Sequence, residues 1–178
     1  MSLKAVDVWT DERAIADATE LMESAFPKAE QVPVSTLVEY LSKGGQPACF
    51  KAFYEGDTFC GFALWAWNDV MTYLGYLAVS PKIRSHGLGT QILNYVKADR
   101  HDEKMILEME SLSVEADNSE HRQRRNAFYE RNGFHQSGIR ASESGVVYDI
   151  MCINGEPTID ECRSIFEGMS IEAEVFEG

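Results

Sequence analysis

The sequence predicts a single mixed α/β domain spanning residues 1–178, with a mostly antiparallel central sheet flanked by helices. Three observations predict it. Three β-rich segments follow one another as a meander, strand and helix patterns alternate after them, and a chain of 178 residues that is 44% hydrophobic and 11% aromatic supplies one substantial core.

The elements follow in order. Residues 3–9 alternate well enough for a first strand, and Thr10 or Asp11 is placed to cap the helix after it. In that helix Ala14, Ala18, Leu21, Met22 and Ala25 recur at helical spacing, and Pro27 lies just past its end. Ser35 reads as the N-cap of a second helix carrying Leu37, Val38 and Leu41, closed by Gly44 and Gly45. Residues 48–54 and 58–67 are β-rich and separated by the hairpin signal Glu55-Gly56-Asp57, and residues 70–79 form the third strand. Leu88, Ile92, Tyr95 and Val96 then mark a helix, 105–114 a strand, 119–132 a helix, 134–140 and 146–153 two more strands, and 158–167 a last helix.

A net charge of −13 argues against a nucleic-acid-binding surface. The cations are concentrated: residues 80–100 and 121–131 hold eight of the sixteen lysines and arginines against Asp99 and Glu130. Such local use suits a phosphorylated ligand, while the acidic remainder favours a cationic substrate; ordinary solvated helix faces are the alternative. Cys49, Cys60, Cys152 and Cys162 form no C-x-x-C pair and no Cys/His cluster with zinc spacing, so free thiols in a reducing cytoplasm, and no metal, are expected. The longest concentrated apolar run, residues 62–67, is far too short to span a bilayer, and no membrane association is expected.

The most informative stretch is Leu77-Ala-Val-Ser-Pro-Lys-Ile-Arg-Ser-His-Gly-Leu-Gly-Thr90, where a strand breaks into a basic, glycine-containing loop that opens a helix. Gly87 and Gly89 let the backbone approach a ligand, the first-turn N–H groups lack intrahelical partners, and the helix dipole adds positive charge there. Together these make an anion site suited to phosphate.

Arg84-Ser-His-Gly-Leu-Gly89 fits the pattern Gln/Arg-x-x-Gly-x-Gly/Ala, and Phe128-Tyr-Glu-Arg-Asn-Gly-Phe134 supplies a Tyr-x-x-x-Gly-Phe signature downstream. With the strand ending Leu-Ala-Val-Ser-Pro, these segments resemble the GCN5-related N-acetyltransferase (GNAT) superfamily over residues 73–134. The resemblance implies an acyl-CoA N-acyltransferase fold with splayed fourth and fifth strands. It also implies acetyl-CoA as co-substrate, bound at the loop that Arg84 opens, its pyrophosphate held mostly by backbone N–H groups of Ser85, His86, Gly87, Leu88, Gly89 and Thr90. The exposed edge at Leu77, Ala78 and Val79 would pair with pantetheine as an added strand, and a freed N–H near Leu77 or Ala78 would polarise the thioester carbonyl.

By the same resemblance Tyr129 aligns with the general acid that protonates the departing thiolate; a packed core tyrosine is its structural alternative. Glu108 and Glu110 stand two apart on one strand and so share a face. Glu110 is the favoured base for the amine, with Glu108 or a water as substitute and a salt bridge to Arg122, Arg124 or Arg125 as the competing reading. The sequence departs from the family pattern at Arg122 and Arg125, where asparagine and alanine are common; either a coenzyme phosphate contact or an anchor for the glutamates would account for these cations.

The expected function is acetyl-CoA-dependent N-acetylation of a primary amine by direct attack in a ternary complex. The acceptor is open among small amines, amino-acid derivatives and protein N-termini. Its contacts should come from residues 26–40, 65–71 and the final strands, where Glu30, Glu39, Asp69 and Glu143 could attract an amine and Phe26, Tyr40, Trp65 and Trp67 could line a pocket. A non-catalytic acyl-CoA sensor is the rival from another class. A homodimer is expected only on base rates.

Overall fold

The computed structural model describes residues 3–83 and 87–178. It resolves into two compact units, one built from the chain up to Ala66 with Gly75–His101, the other from Trp67–Leu74 with Asp102–Gly178.

In the first unit, β1 (Lys4–Asp7) leads through a short 3-10 turn into α1 (Glu12–Ala25), followed by α2 (Val34–Ser42), β2 (Ala48–Glu55) and β3 (Thr58–Trp67). The later half of β4 (Thr72–Val79) and α3 (Leu88–Asp99) complete it. The strand order is β1-β2-β3-β4, with β1/β2 and β2/β3 antiparallel. Asp11 caps α1 by accepting from the Ala14 N–H at 2.9 Å, and Ala14, Ala18, Leu21 and Met22 are its buried face, as the periodicity predicts. The second helix begins one residue before Ser35. Pro33, with φ fixed at −52°, sets its first turn without a side-chain cap, so Ser35 lies inside the helix.

In the second unit the order is β4-β5-β7-β6-β8, built from the first half of β4, β5 (Met105–Glu110), β6 (His135–Glu143), β7 (Val146–Ile153) and β8 (Glu174–Glu177). The pairing β4/β5 is parallel, and the other three ladders are antiparallel. Two helices complete the unit, α4 (Ser119–Arg131) and α5 (Ile159–Gly168). Cys162, Ile165 and Phe166 of α5 bury against Tyr73, Ile106, Ile139 and Ile150. Thr158 and Glu161 form a reciprocal capping box at the start of α5.

Two differences from the sequence reading have local causes. The strand expected over 105–114 ends at Glu110, because Ser111 turns the chain: its hydroxyl meets that of Ser113 at 2.8 Å, and the Val114 N–H bonds back to its carbonyl at 3.4 Å. The short strand β8 was not anticipated; Glu-Val-Phe-Glu is too brief to show a period and is held by its ladder to β6. The mixed α/β class is as expected. No described helix is long and apolar enough to cross a membrane.

Candidate active site

Strand β4 ends where the basic loop begins. Its parallel ladder to β5 runs only through Thr72↔Met105, Tyr73↔Ile106 and Leu74↔Leu107, while β4 continues to Val79 and β5 to Glu110. Leu77, Ala78 and Val79 therefore lie beyond the last β4/β5 pair. Next to them Gly61 is compulsory, since a Cβ there would stand 2.2 Å from the Ala78 carbonyl oxygen.

Arg84, Ser85 and His86, expected to contribute to the phosphate loop, lie outside the described residues. Gly87 is the N-cap of α3 in the left-handed conformation, φ +89°, with open space where a Cβ would be. The first α3 backbone bond runs from the Gln91 N–H to the Gly87 carbonyl at 2.9 Å. The N–H groups of Leu88, Gly89 and Thr90 precede that bond and form the donor end of the helix.

Tyr129 is buried near the end of α4, its ring against Phe128 and Phe134. Burial pushes its hydroxyl pKa up, and a hydrogen bond and charge from Arg125, one turn earlier, act in the opposite direction. A hydroxyl so placed keeps its proton at neutral pH and has a cation beside it. The turn after α4 depends on Gly133, φ +93°, and brings the Phe134 N–H back to the Tyr129 carbonyl at 3.0 Å.

The two strand glutamates are held differently. Arg122 binds Glu110 in bidentate fashion, Nε to Oε2 at 3.0 Å and Nη2 to Oε1 at 3.1 Å, and Asn118 donates to Oε2 at 2.9 Å. Glu110, the favoured base on sequence grounds, is thus engaged at both oxygens, and Arg122 acts as the anchor for it. Glu108 instead accepts from the Tyr73 hydroxyl at 2.8 Å and meets the carboxyl of Glu143. Burial raises the Glu143 pKa, the contact with Glu108 partly offsetting it, and one Glu143 oxygen is fully buried without a hydrogen-bond partner.

Tyr73 and Asn118 were missed in the sequence because only the β4/β5 register and the 111–118 turn bring them to these carboxylates. Of the acceptor candidates, Glu143 joins this cluster. Glu39 pairs with Lys43 at the surface, and Asp69 is exposed. Trp65 is wholly buried and donates to Asp99 at 2.9 Å, and Phe26 packs edge-on to Tyr76, so both serve the core. The Tyr40 hydroxyl accepts from the Gln46 N–H at 3.1 Å. Burial pushes the thiols of Cys152 and Cys162 up to about 12, the reverse of what a nucleophilic thiolate needs.

A mixed sheet with a parallel β4/β5 pair, flanked by helices, is the fold of the acyltransferases that the sequence matches. Residues 46–136 match the family described as "Acetyltransferase (GNAT) domain", and the chain belongs to the GNAT acetyltransferases. The fold is shared with a GNAT-family protein of Bacteroides thetaiotaomicron (TM-score 0.71, 20% identity, 95% of this chain and 96% of that one covered). It is also similar to the ribosomal-protein-S18-alanine N-acetyltransferase of Escherichia coli (0.60, 19%, 88% and 96%). A third likeness is to an aminoglycoside 6'-N-acetyltransferase complexed with coenzyme A (0.66, 18%, 89% and 100%). No curated protein matches this sequence.

Proposed function

We propose that the protein transfers an acetyl group from acetyl-CoA to a primary amine by direct attack, and that Glu108, with Glu143, receives the amine. The observation that carries this is the Glu108–Glu143 carboxyl contact beside the Tyr73 hydroxyl. Two carboxyl groups in partly buried surroundings attract an ammonium, and a carboxylate among them can take up its proton. Glu110 is the less suitable base because Arg122 occupies both its oxygens.

In this reading the backbone of Leu77, Ala78 and Val79 pairs with pantetheine, and the α3 N-terminus with the loop from Arg84 holds the pyrophosphate. The amine gives its proton to Glu108, its nitrogen forms the bond to the acetyl carbon, and the oxyanion is held by a β4 N–H. The C–S bond then breaks, and Tyr129 gives its proton to the thiolate. Coenzyme A bound to a solved structural relative supports the donor. Structural relatives named for an aminoglycoside and for an alanine of ribosomal protein S18 support an amine acceptor of either size. Four free cysteines agree with a cytoplasmic enzyme.

An amine panel with acetyl-CoA tests the reading through thiol release, spanning aminoglycosides, polyamines, amino-acid amides and short peptides. Release that depends on one acceptor class and falls in Glu108→Gln supports it. Background release with every amine, while coenzyme A raises the melting temperature, would instead make the protein a non-catalytic sensor.

A further inference from the structure

We propose that His135, Cys152 and Glu156 form a binding site for a zinc-like divalent cation at the far end of the β6/β7 hairpin. The sequence spacing conceals it, for 16 residues separate His135 from Cys152. The fold removes that separation, since His135, the first residue of β6, is the cross-strand partner of Cys152 near the end of β7. Beyond β7 the chain reverses through Asn154 (φ +60°) and Gly155 (φ +139°), which returns Glu156 to the same point.

The ligand atoms converge. Cys152 Sγ lies 3.3 Å from His135 Nε2 and 3.5 Å from Glu156 Oε2, His135 Nε2 also contacts Glu156 Oε1, and the three donor groups fall within 4.8 Å of one another. A tetrahedral zinc with bonds of about 2.0 Å to nitrogen and about 2.3 Å to sulfur sets its ligands about 3.5 Å apart. The two distances to sulfur are already close to that spacing. Sulfur, imidazole and carboxylate together favour zinc over calcium or magnesium, which prefer all-oxygen sites.

A thiol–imidazole–carboxylate relay would use the same three residues, yet it needs the carboxylate on the second ring nitrogen. Here thiol and carboxylate meet the same Nε2, the convergence that a shared ion requires. Cys152 is fully buried while the side chains of His135 and Glu156 are 51% and 66% exposed, so the cation enters from the solvent side and retains a position for water. Thiolate and carboxylate balance its two charges, the thiol proton passing to solvent on binding. Lys104 opposes the cation from nearby, but its ammonium is committed to Glu161 at 2.7 Å. A bound ion would tie the start of β6, the end of β7 and the turn leading to α5.

Chelator-treated protein titrated with cobalt(II) tests this. The expected result is one equivalent bound with a thiolate-to-cobalt charge-transfer band, displaced by zinc, and a zinc-dependent rise in melting temperature. Cys152→Ser should abolish the band, and Cys49→Ser should leave it intact. Because Cys152 is buried and its variant could fail to fold, the surface changes His135→Ala and Glu156→Gln provide a second measurement. Each should weaken zinc binding at least about tenfold with an unchanged circular dichroism spectrum. No band and no zinc-dependent stabilisation, or zinc affinity unchanged in both surface variants, would show that the three side chains merely hydrogen-bond to one another.

Discussion

Arg122 grips both carboxylate oxygens of Glu110, at 3.0 and 3.1 Å, and the same guanidinium donates to the carbonyls of Ser111 and Val114 at 3.1 and 3.2 Å. The pair is mostly buried, with 11% and 14% of the two side chains exposed. One arginine therefore fixes the end of β5, the turn after it and the start of α4. Removing one partner leaves an uncompensated charge, so Arg122→Ala should lower unfolding free energy by about 3–5 kcal/mol in urea denaturation. Arg122→Met combined with Glu110→Leu should cost less than either change alone, and a double variant no better than the singles would refute the clamp.

The same geometry separates the two glutamates functionally. Glu108→Gln should lower kcat, with part of the loss recovered at higher pH as more of the amine is free base. Glu110→Gln should act mainly on stability. Equal loss of turnover from both, at equal melting temperature, would return the base role to Glu110.

For Tyr129→Phe the expected loss of kcat is about 100-fold or more, with coenzyme affinity nearly unchanged, since in the proposed mechanism the hydroxyl acts on the leaving group while the ring remains packed. Calorimetry of coenzyme A beside steady-state rates checks both halves. Unaltered turnover would reduce Tyr129 to a core residue.

Gly87, with its left-handed φ of +89° and open space at the Cβ position, acts in the proposed function through its backbone next to the ligand. Gly87→Asp should weaken coenzyme A binding by at least about tenfold, through strain and through a negative charge at the phosphate end of the helix. Gly61→Ala should instead lower the melting temperature by forcing the Ala78 carbonyl to move. If Gly87→Asp leaves coenzyme affinity unaltered, the loop is only a turn.

Glu143 gives a pH-dependent signature. Its pKa in the folded protein is raised, chiefly by burial, so the native state holds this proton more tightly than the unfolded chain. The stabilisation is complete below the ordinary glutamate pKa and is lost as pH rises through the folded value. Glu143→Gln keeps an uncharged group there at every pH. Its melting temperature relative to the parent should therefore increase from acidic to neutral pH, and a constant difference across that range would contradict the raised pKa.

Much of this was legible in the chain. The period of α1, the Asp11 cap, the β2/β3 hairpin, the loop at Gly87 and the Tyr129-to-Phe134 signature are local patterns, set by side-chain spacing and backbone preference within a few residues. The carboxylate cluster on β5 and β6 was not, because it depends on register. Which groups Glu108 and Glu110 each meet follows from which residues stand on neighbouring strands and on α4, and no window of sequence contains Tyr73, Glu108 and Glu143 together.

The sequence by itself determined the mixed α/β class, the order of nearly all elements and the family, since these rest on short-range periodicity and on short local motifs. Tertiary structure alone decided that Arg122 occupies Glu110, that Glu108 meets Glu143, and that His135, Cys152 and Glu156 converge. The physical reason is common to all three: charge pairing and coordination act across a few ångströms of space, and only strand pairing, or in the case of Arg122 the placing of α4 against β5, brings residues 12 to 35 positions apart within that reach.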